Sequence, residues 1–322
     1  MTRLAHALDA GAIALPENGT IAVIDPPVGY DLSALPHDRV QVATSFKPAF
    51  DTFKSAGFEV DVVVPEGVAL SVVVAGKSKS RTRGHIAMAA LSVAPIVVDG
   101  DKTVGIDSLY RDLKGKGDLT PAFAKAHGKV FQISPGPALL EWLPQPGEVE
   151  GFRTWPGVFS EGGIDKGSAF LANTLPVLKG RVADLGSGWG YLADSALRAS
   201  PAITELHLVE ADAHAGACGR DNVKDPRALH HWADATVWAP DAQVDIVITN
   251  PPFHVGRSAD PGLGQAFIAA AARILQPKGA LWLVANRQLP YEGSLDANFR
   301  EVDEVKSDPA FKIFHARKPR TR

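Results

Sequence analysis

The segment 181–190, RVADLGSGWG, decides the fold of the second half of the chain. An apolar run ends in an acid, glycines follow at alternate positions, and a helical pattern begins directly after the last of them. Glycine is needed where a tight turn brings the backbone close to a ligand, because no Cβ stands in the way. The segment therefore predicts a strand, a ligand-binding turn and a helix.

Short apolar runs alternate with helical patterns through the rest of this half, which predicts crossover units and a parallel sheet. The last two runs, 299–307 (FREVDEVKS) and 310–318 (AFKIFHARK), are separated by a turn at Asp308 and Pro309. That turn is too short for a helical crossover. We therefore predict an antiparallel hairpin at the end of the sheet.

The first half shows the same alternation more faintly, in runs such as TIAVIDPP (20–27) and ALSVVVAGKSKS (69–80). Between the halves, residues 134–156 are dense in proline and glycine, as is typical of a domain junction. We therefore predict two α/β domains of similar plan, 1–148 and 149–322. Either they arose by duplication or they share a rhythm that any α/β domain has.

Composition limits the class of protein. The chain has 322 residues, 45% of them hydrophobic and 21% charged, with a net charge of −3. We find no apolar run long enough to cross a bilayer and no secretory signal pattern. Cys218 is the only cysteine, which excludes an intrachain disulfide and a thiolate zinc cluster. We expect a cytoplasmic protein without a metal site, in which local basic patches remain compatible with RNA binding.

Acids stand at three successive strand ends around the glycine turn: Asp184, Glu210 and Asp234. A dinucleotide fingerprint would need glycine where this chain has Tyr191. The acids suit an ammonium group, a ribose diol and an adenine amino group, and together they match S-adenosylmethionine. Any one of them alone is as compatible with a solvated loop. The predicted cofactor-binding residues of this region are Asp184, Gly186, Ser187, Gly188, Gly190, Glu210, Ala211, Asp234, Ala235 and Asn250.

A second motif, DIVITNPPFH (245–254), ends an apolar strand in an amide, two prolines and an aromatic ring. The amide oxygen of Asn250 and the carbonyl of Pro251 can both accept from a planar NH₂ group and so gather its lone pair on nitrogen. Pro252 stiffens the turn, and Phe253 can stack on a flat substrate. We predict these four residues to be catalytic. The alternative is a turn that merely ends a strand.

These motifs carry a family resemblance. DLGSGWG, VEAD and TNPPF, in this order, resemble class I S-adenosylmethionine-dependent methyltransferases that modify amino groups. The stretches 156–171 (PGVFSEGGIDKGSAFL) and 283–295 (LVANRQLPYEGSL) narrow the resemblance to RsmC-type ribosomal RNA guanine-N2 methyltransferases. The resemblance implies two tandem Rossmann-like methyltransferase domains. The first is degenerate, with an RNA-binding or structural role, and the second is catalytic, with a seven-stranded sheet and a C-terminal antiparallel hairpin.

The resemblance also implies an activity and further contacts. It implies methyl transfer to the exocyclic N2 of a guanine in ribosomal RNA, preferably of the small subunit. Apart from the resemblance, we expect a monomer. Asp165 and Gly167 would lie over the methionine end of the cofactor. The basic residues of the first domain that would contact RNA, if they are not solvated surface charge, are Lys77, Lys79, Arg81 and Arg83.

Three other functions remain open on the sequence. The first is methylation of another planar amine or amide, such as adenine N6 or a protein glutamine N5. The second is a non-catalytic RNA-binding assembly factor that keeps the cofactor site. The third is an NAD-dependent dehydrogenase, which Tyr191 disfavours.

Overall fold

A computed structural model describes residues 2–252, 254–255, 258–259 and 261–320, with the backbone alone at 254–255, 258–259 and 261. The chain divides into two compact units, Met1–Gln145 and Pro146–Arg322. Residue 148, the predicted boundary, lies inside a short strand of the second unit, so the division falls slightly earlier in the chain. None of the described helices is both long and apolar enough to cross a bilayer.

The first unit is a sheet with helices around it. Its helices are α1 (Arg3–Asp9), α2 (Lys47–Ser55), α3 (Lys79–Ala90), α4 (Ile106–Leu113) and α5 (Pro137–Leu140), with 3₁₀ turns at His37–Arg39 and Lys102–Val104. Its strands are β1 (Ile21–Ile24), β2 (Val40–Ala43), β3 (Glu59–Asp61), β4 (Leu70–Val74), β5 (Ile96–Asp101), β6 (Phe123–Lys125) and β7 (Gly128–Ile133). The strand order is β3-β2-β1-β4-β5-β7-β6. The first five strands pair in parallel, and β7 pairs antiparallel with both β5 and β6.

The second unit begins with a hairpin and continues as a larger sheet. Its helices are α6 (Lys166–Ala172), α7 (Tyr191–Ala199), α8 (Ala213–Asn222), α9 (Pro261–Ile274) and α10 (Glu292–Asn298). The hairpin is β8 (Gly147–Val149) and β9 (Phe152–Thr154), and a second, two-residue pair is β14 (His254–Val255) and β15 (Ser258–Ala259). The main strands are β10 (Lys179–Leu185), β11 (Ala202–Glu210), β12 (Ala228–Trp232), β13 (Val244–Thr249), β16 (Leu275–Asn286), β17 (Phe299–Ser307) and β18 (Phe311–Pro319).

This larger sheet has the order β12-β11-β10-β13-β16-β18-β17. β16 pairs antiparallel with β18, and β18 pairs antiparallel with β17. The predicted seven-stranded sheet and its C-terminal antiparallel hairpin are therefore confirmed.

The central strands are apolar because helices cover both faces of each sheet. All four residues of β1 and all five of β4 are buried. In the second unit, α9 packs on one face through Phe267 and Ile268, and α7 packs on the other through Leu192 and Ala196. Helices thus cover both faces of the sheet. A ligand-binding site is therefore expected at an edge of the sheet.

The topology fixes where a ligand site can form in the second unit. From β10 the strand order runs to β11 on one side and to β13 on the other, so the connections leave in opposite directions. Such a switch point opens a crevice at the carboxyl ends of the strands. Leu185, the last residue of β10, pairs with Thr249, the last residue of β13. The Thr249 hydroxyl donates to the Leu185 carbonyl at 2.7 Å, which holds the two strand ends together.

Candidate functional site

The glycine loop, residues 186–190, follows β10 as predicted. Gly186, Gly188 and Gly190 have φ of +74°, +55° and +95°, a region that other residues rarely adopt. A Cβ at Gly190 would lie 2.7 Å from Val223 Cγ2, so packing on the next helix excludes a side chain there. A Cβ at Gly188 would meet nothing within 4 Å. The loop is therefore packed on one side and open on the other.

The end of β11 holds the loop in place. The N–H of Gly186 donates to the Val209 carbonyl at 2.9 Å, and the N–H of Gly188 donates to Glu210 Oε2 at 2.7 Å. Glu210 Oε1 accepts from the Asp212 N–H at 2.8 Å. Each carboxylate oxygen has a further lone pair. Glu210 thus shapes the loop and keeps capacity to accept hydroxyl donors.

Asp184 is the most unusual acid of the site. Its side chain is 0% exposed, and within the described part of the chain neither carboxylate oxygen has a side-chain partner, although the Ala193 N–H lies near enough to act against the rise of its pKa. Burial, and next the negative charge of Glu210, raise the pKa of Asp184 to about 8. Burial also raises the pKa of Glu210 to about 7. Adjacent acids with raised pKa values beside a crevice are typical of a functional site.

Asp234 follows β12 at the third strand end. Its Oδ1 accepts from the Thr236 N–H at 2.8 Å and from the Thr236 hydroxyl at 2.7 Å, so its orientation is fixed. The Ala211 carbonyl accepts from Trp232 Nε1 at 2.9 Å. Ala235 is buried in the core beneath this edge. The predicted residues at the ends of β11 and β12 thus border the same edge of the sheet.

Asn250, directly after β13, is bound to the start of α6. Its Nδ2 donates to Asp165 Oδ1 at 2.8 Å and to Ser168 Oγ at 2.9 Å. Asp165 is the N-cap of α6, where the same Oδ1 accepts from the Ser168 N–H at 2.8 Å. Pro251 is buried and Pro252 is exposed. Phe253, the fourth predicted catalytic residue, lies outside the described residues.

These elements enclose a cleft at the carboxyl edge of the sheet. Of the predicted residues, the cleft is lined by Asp165, Gly186, Ser187, Gly188 and Asn250. The other predicted cofactor-binding residues do not line the cleft, namely Gly167, Asp184, Gly190, Glu210, Ala211, Asp234 and Ala235. Gly167 packs behind it, because a Cβ there would lie 3.0 Å from Phe311 Cε1.

Sequence reasoning missed several lining residues, namely Phe159, Ser160, Ser168, Trp189, Tyr191 and Leu192. Three of them lie in the stretch 156–171, which resembles the family but suggested no chemistry of its own. Trp189 stands inside the glycine motif, where its indole N–H donates to the Phe159 carbonyl at 3.0 Å. That bond joins the stretch to the loop, and sequence spacing gives no sign of it.

Three of the four basic residues predicted to contact RNA, Lys79, Arg81 and Arg83, lie in the first turns of α3, and two of them contact Asp112. Lys79 Nζ and Arg83 Nη2 contact Asp112 Oδ2 at 2.6 and 2.9 Å. The hydrogen bond from Lys79, partly opposed by desolvation, keeps the pKa of Asp112 below its ordinary value. Arg81 Nη1 lies 3.4 Å from Ser45 Oγ, and Lys77 precedes the helix. Because Asp112 offsets part of this charge, RNA binding by these residues stays a prediction.

The second-unit site fits S-adenosylmethionine. The open face of the glycine loop gives the backbone close access to a ligand. The buried acid at 184, without a side-chain partner among the described residues, suits a cationic ligand, whose charge would favour ionised carboxylates. Glu210 and Asp234 keep acceptor capacity at the next two strand ends. These residues are the ones expected for the ammonium, ribose and adenine groups.

Comparison with known proteins supports the same assignment. Residues 150–315 match the model of the family described as methyltransferase small domain. In structure, the chain is similar to a 16S rRNA N2 methyltransferase (RsmC) from T. thermophilus, solved in complex with AdoMet and guanosine. That likeness has a TM-score of 0.80 and 23% identity, and covers 95% of this chain and 90% of the other. At this identity it establishes the fold.

Curated relatives extend the comparison to sequence. A ribosomal RNA small subunit methyltransferase C from Hahella chejuensis is 32% identical over 67% of this chain and 67% of its own length. One from Alcanivorax borkumensis is 29% identical over 79% of this chain and 81% of its own length. Against one from Shewanella sp. (strain MR-4), 33% identical, the aligned segment spans about half of the relative, 46%. The chain therefore belongs to the family of ribosomal RNA small subunit methyltransferase C proteins, with its methyltransferase small domain at residues 150–315.

Proposed function

We propose that the chain transfers a methyl group from S-adenosylmethionine to the exocyclic N2 of a guanine in small-subunit ribosomal RNA. The observation that carries this proposal is the placement of Asn250. Its side chain lines the same cleft as the open glycine loop, at the switch point between β10 and β13. An amide acceptor beside a methyl-donor site is what methylation of a planar amino group requires.

Asn250 and Pro251 act on the nucleophile. An exocyclic amino group is a poor nucleophile because its lone pair is delocalised into the ring. Hydrogen bonds from this NH₂ to Asn250 Oδ1 and the Pro251 carbonyl favour the positive charge that develops on nitrogen during transfer. The proline rings hold both acceptors in place, and the residue before each proline is kept extended. A proton then leaves N2 for solvent.

The cofactor, when bound, supplies an electrophilic methyl group on a sulfonium. The residues that we propose to hold it are distributed over three strand ends and the start of α6. Asp184 would favour its positive charge, Glu210 would accept from the ribose hydroxyls, and Asp234 would accept from the adenine amino group. Asp165 and Gly167 would lie at the methionine end. The glycine loop would approach it through the backbone.

The choice of ribosomal RNA follows the curated relatives, which are small-subunit ribosomal RNA methyltransferases, and the choice of guanine N2 follows the T. thermophilus protein, an N2 methyltransferase solved with guanosine. A base inside a duplex cannot reach a cleft of this kind, so the target base must be unpaired or extruded. We further propose a monomer that acts in the cytoplasm, which light scattering and cell fractionation can test. The first unit would have an RNA-binding or structural role.

The decisive experiment is nucleoside mass spectrometry. Purified protein, isotopically labelled S-adenosylmethionine and unmodified small-subunit RNA or subunits should yield labelled N2-methylguanine. Labelled N6-methyladenine, or label in a protein glutamine, would overturn the guanine assignment. Cofactor binding by calorimetry without turnover on any RNA would instead indicate a binding protein.

A further inference from the structure

Both hydrogens of the Asn250 amide are already used by the protein. One is donated to Asp165 Oδ1 at 2.8 Å and the other to Ser168 Oγ at 2.9 Å. Within the described residues, no hydrogen bond reaches Asn250 Oδ1. The donor end of the amide is thus saturated, and its acceptor end is the one left for a ligand in the cleft.

The orientation of this amide is fixed by charge. If the side chain turned over, its oxygen would face a carboxylate oxygen, and two acceptors at hydrogen-bond distance repel each other. Asp165 cannot easily turn away, because its Oδ1 also caps α6 by accepting from the Ser168 N–H at 2.8 Å. The first turn of α6 therefore determines which end of Asn250 faces the cleft.

We propose that Asp165 and Ser168 are positioning residues for methyl transfer, which hold the Asn250 amide so that its oxygen faces the substrate. This inference rests on the proposed function and names two residues that set its substrate class. An acceptor in the cleft selects a base that presents an amino group. A base with a carbonyl at that point would leave both acceptors unpaired and be rejected.

The first test removes only the Ser168 hydroxyl. Ser168→Ala should lower kcat about 10-fold, the effect of one lost orienting hydrogen bond, while KM for S-adenosylmethionine and its Kd by calorimetry stay unchanged. Thr174→Ala is the matched control on the same segment, because the Thr174 hydroxyl donates only to the Phe170 carbonyl, at 2.8 Å. This control should keep the wild-type kcat. Equal kcat values for wild type and Ser168→Ala would contradict the inference.

The second test exchanges the amide and the carboxylate. Asn250→Asp sets two carboxylates against each other and should lower kcat about 10³-fold. Adding Asp165→Asn restores an amide–carboxylate hydrogen bond, keeps a good N-cap and leaves an acceptor oxygen at position 250. The double variant should therefore be at least about 10-fold more active than Asn250→Asp alone. A residue with a purely structural role would show no such rescue, and its absence would overturn the inference.

Wild-type turnover separates this inference from the proposed function. If wild type methylates no RNA, the proposed function fails, and the side-chain NH₂ of Asn250 is followed by NMR in the labelled full-length chain instead. The inference requires its two hydrogens to exchange slowly with water and to exchange faster in Ser168→Ala, with Thr174→Ala unchanged. Exchange that does not differ among the three proteins would overturn it.

Discussion

The two units contain sheets of the same strand order with different chemistry at their carboxyl edges. Each has five strands that pair in parallel, followed by one strand that pairs antiparallel with its neighbours on both sides, and the strands are connected in the same sequence. The residue after the first strand makes the same bond in both. Asp25 N–H donates to the Ala43 carbonyl at 2.8 Å, and Gly186 N–H donates to the Val209 carbonyl at 2.9 Å. The strand registers can therefore be compared position by position.

At the positions that correspond to the polar residues of the proposed site, the first unit has apolar residues and one threonine. The corresponding pairs are Asp184 and Val23, Glu210 and Thr44, and Asn250 and Val74. The three first-unit residues are all buried. Where the second unit has a glycine loop, the first continues as Asp25-Pro26-Pro27. The sheet forms without the acids, so we attribute the acids to ligand binding and infer that the first unit lacks this chemistry.

A buried acid in each unit sharpens the contrast. Asp99 on β5 is 1% exposed, and both of its oxygens are occupied: Arg3 Nε donates at 2.5 Å and the Tyr30 hydroxyl at 2.6 Å. Asp184 is as deeply buried but has no such partner among the described residues. Asp99 therefore completes a structural cluster, whereas Asp184 is suited to a charge that arrives with a ligand.

The largest effect is expected at Asn250. Asn250→Ala should lower kcat about 10³-fold, as does loss of a preorganised hydrogen-bonding group in other active sites. Cofactor binding by calorimetry should remain, because the glycine loop and its acids are unchanged. The matched control is Val74→Ala at the corresponding position of the first sheet, which should keep kcat. A comparable loss in the control would mean that the two edges share one function.

The next effect separates the two buried acids. Asp99→Asn should destabilise the chain by about 3 kcal/mol in urea unfolding at pH 7, because it weakens the bonds to Arg3 and Tyr30 at a buried site. Asp184→Asn should cost little stability or increase it, because the wild-type carboxylate lacks a side-chain partner in the described structure. Its loss should appear in cofactor affinity. Equal destabilisation by both variants would contradict the distinction.

The raised pKa values of Asp184 and Glu210 predict pH-dependent cofactor binding, a property that the first unit should lack. A positive ligand favours the ionised acids, so binding should release protons, and affinity should rise with pH until it levels off above about 8. Calorimetry in buffers of different ionisation enthalpy measures the released protons. The change should approach about 10-fold in Kd per pH unit for one coupled proton. In Asp184→Asn the dependence should flatten and shift toward the pKa of Glu210, about 7.

The effect of pH on folding stability is opposite to its effect on cofactor affinity. Because both pKa values are higher in the folded chain than in the unfolded chain, the protonated acids stabilise it fully below about pH 4, and this contribution is lost as pH rises from there to about 7 and 8. Without cofactor, wild type should therefore lose stability over this range relative to Asp184→Asn. A parallel pH profile for the two proteins would show that Asp184 is ionised in the free chain.

Local signals in the sequence predicted the parts of the site that one segment determines. RVADLGSGWG specifies a strand, a turn and a helix because glycine and apolar periodicity act over a few residues. The hairpin of β17 and β18 was predicted because Asp308 and Pro309 leave no room for a crossover. The antiparallel pair β6 and β7 of the first unit was not, since its short strands carry only weak alternation.

Contacts between distant segments could not be predicted in this way. Asp165 was assigned to the cofactor alone, since nothing near it in sequence points to its bond with Asn250, 85 residues away. That bond exists because α6 reaches the carboxyl end of β13. Ser168 carried no signal at all, since serine in the first turn of a helix is common. Tertiary placement, and not residue type, gives both residues their place in the site.

The smallest predicted effect concerns a pair of histidines on the neighbouring strands β11 and β12 of the second sheet. His207 Nδ1 and His231 Nε2 lie 3.0 Å apart, so at least one ring must be neutral. Desolvation, and next the charge of His207, lower the pKa of His231 below its ordinary 6.5. The neutral His231 ring therefore stabilises the chain fully above pH 6.5, and this contribution is lost as pH falls toward its lowered pKa.

In the first sheet, Gln41 occupies the position of His207, and its Nε2 donates to Glu59 Oε2 at 2.7 Å, so the contact at this position contains no histidine. His231→Gln should therefore reduce the acid sensitivity of the full chain between pH 7.5 and 5, by about 1 kcal/mol, the typical contribution of one hydrogen bond. Gln41→Ala is the matched control and should leave the acid sensitivity unchanged. Thermal unfolding at several pH values measures both. If His231→Gln and wild type lost stability in parallel on acidification, the acid-sensitive groups would lie elsewhere, since the imidazole pair is the feature that distinguishes the second sheet here.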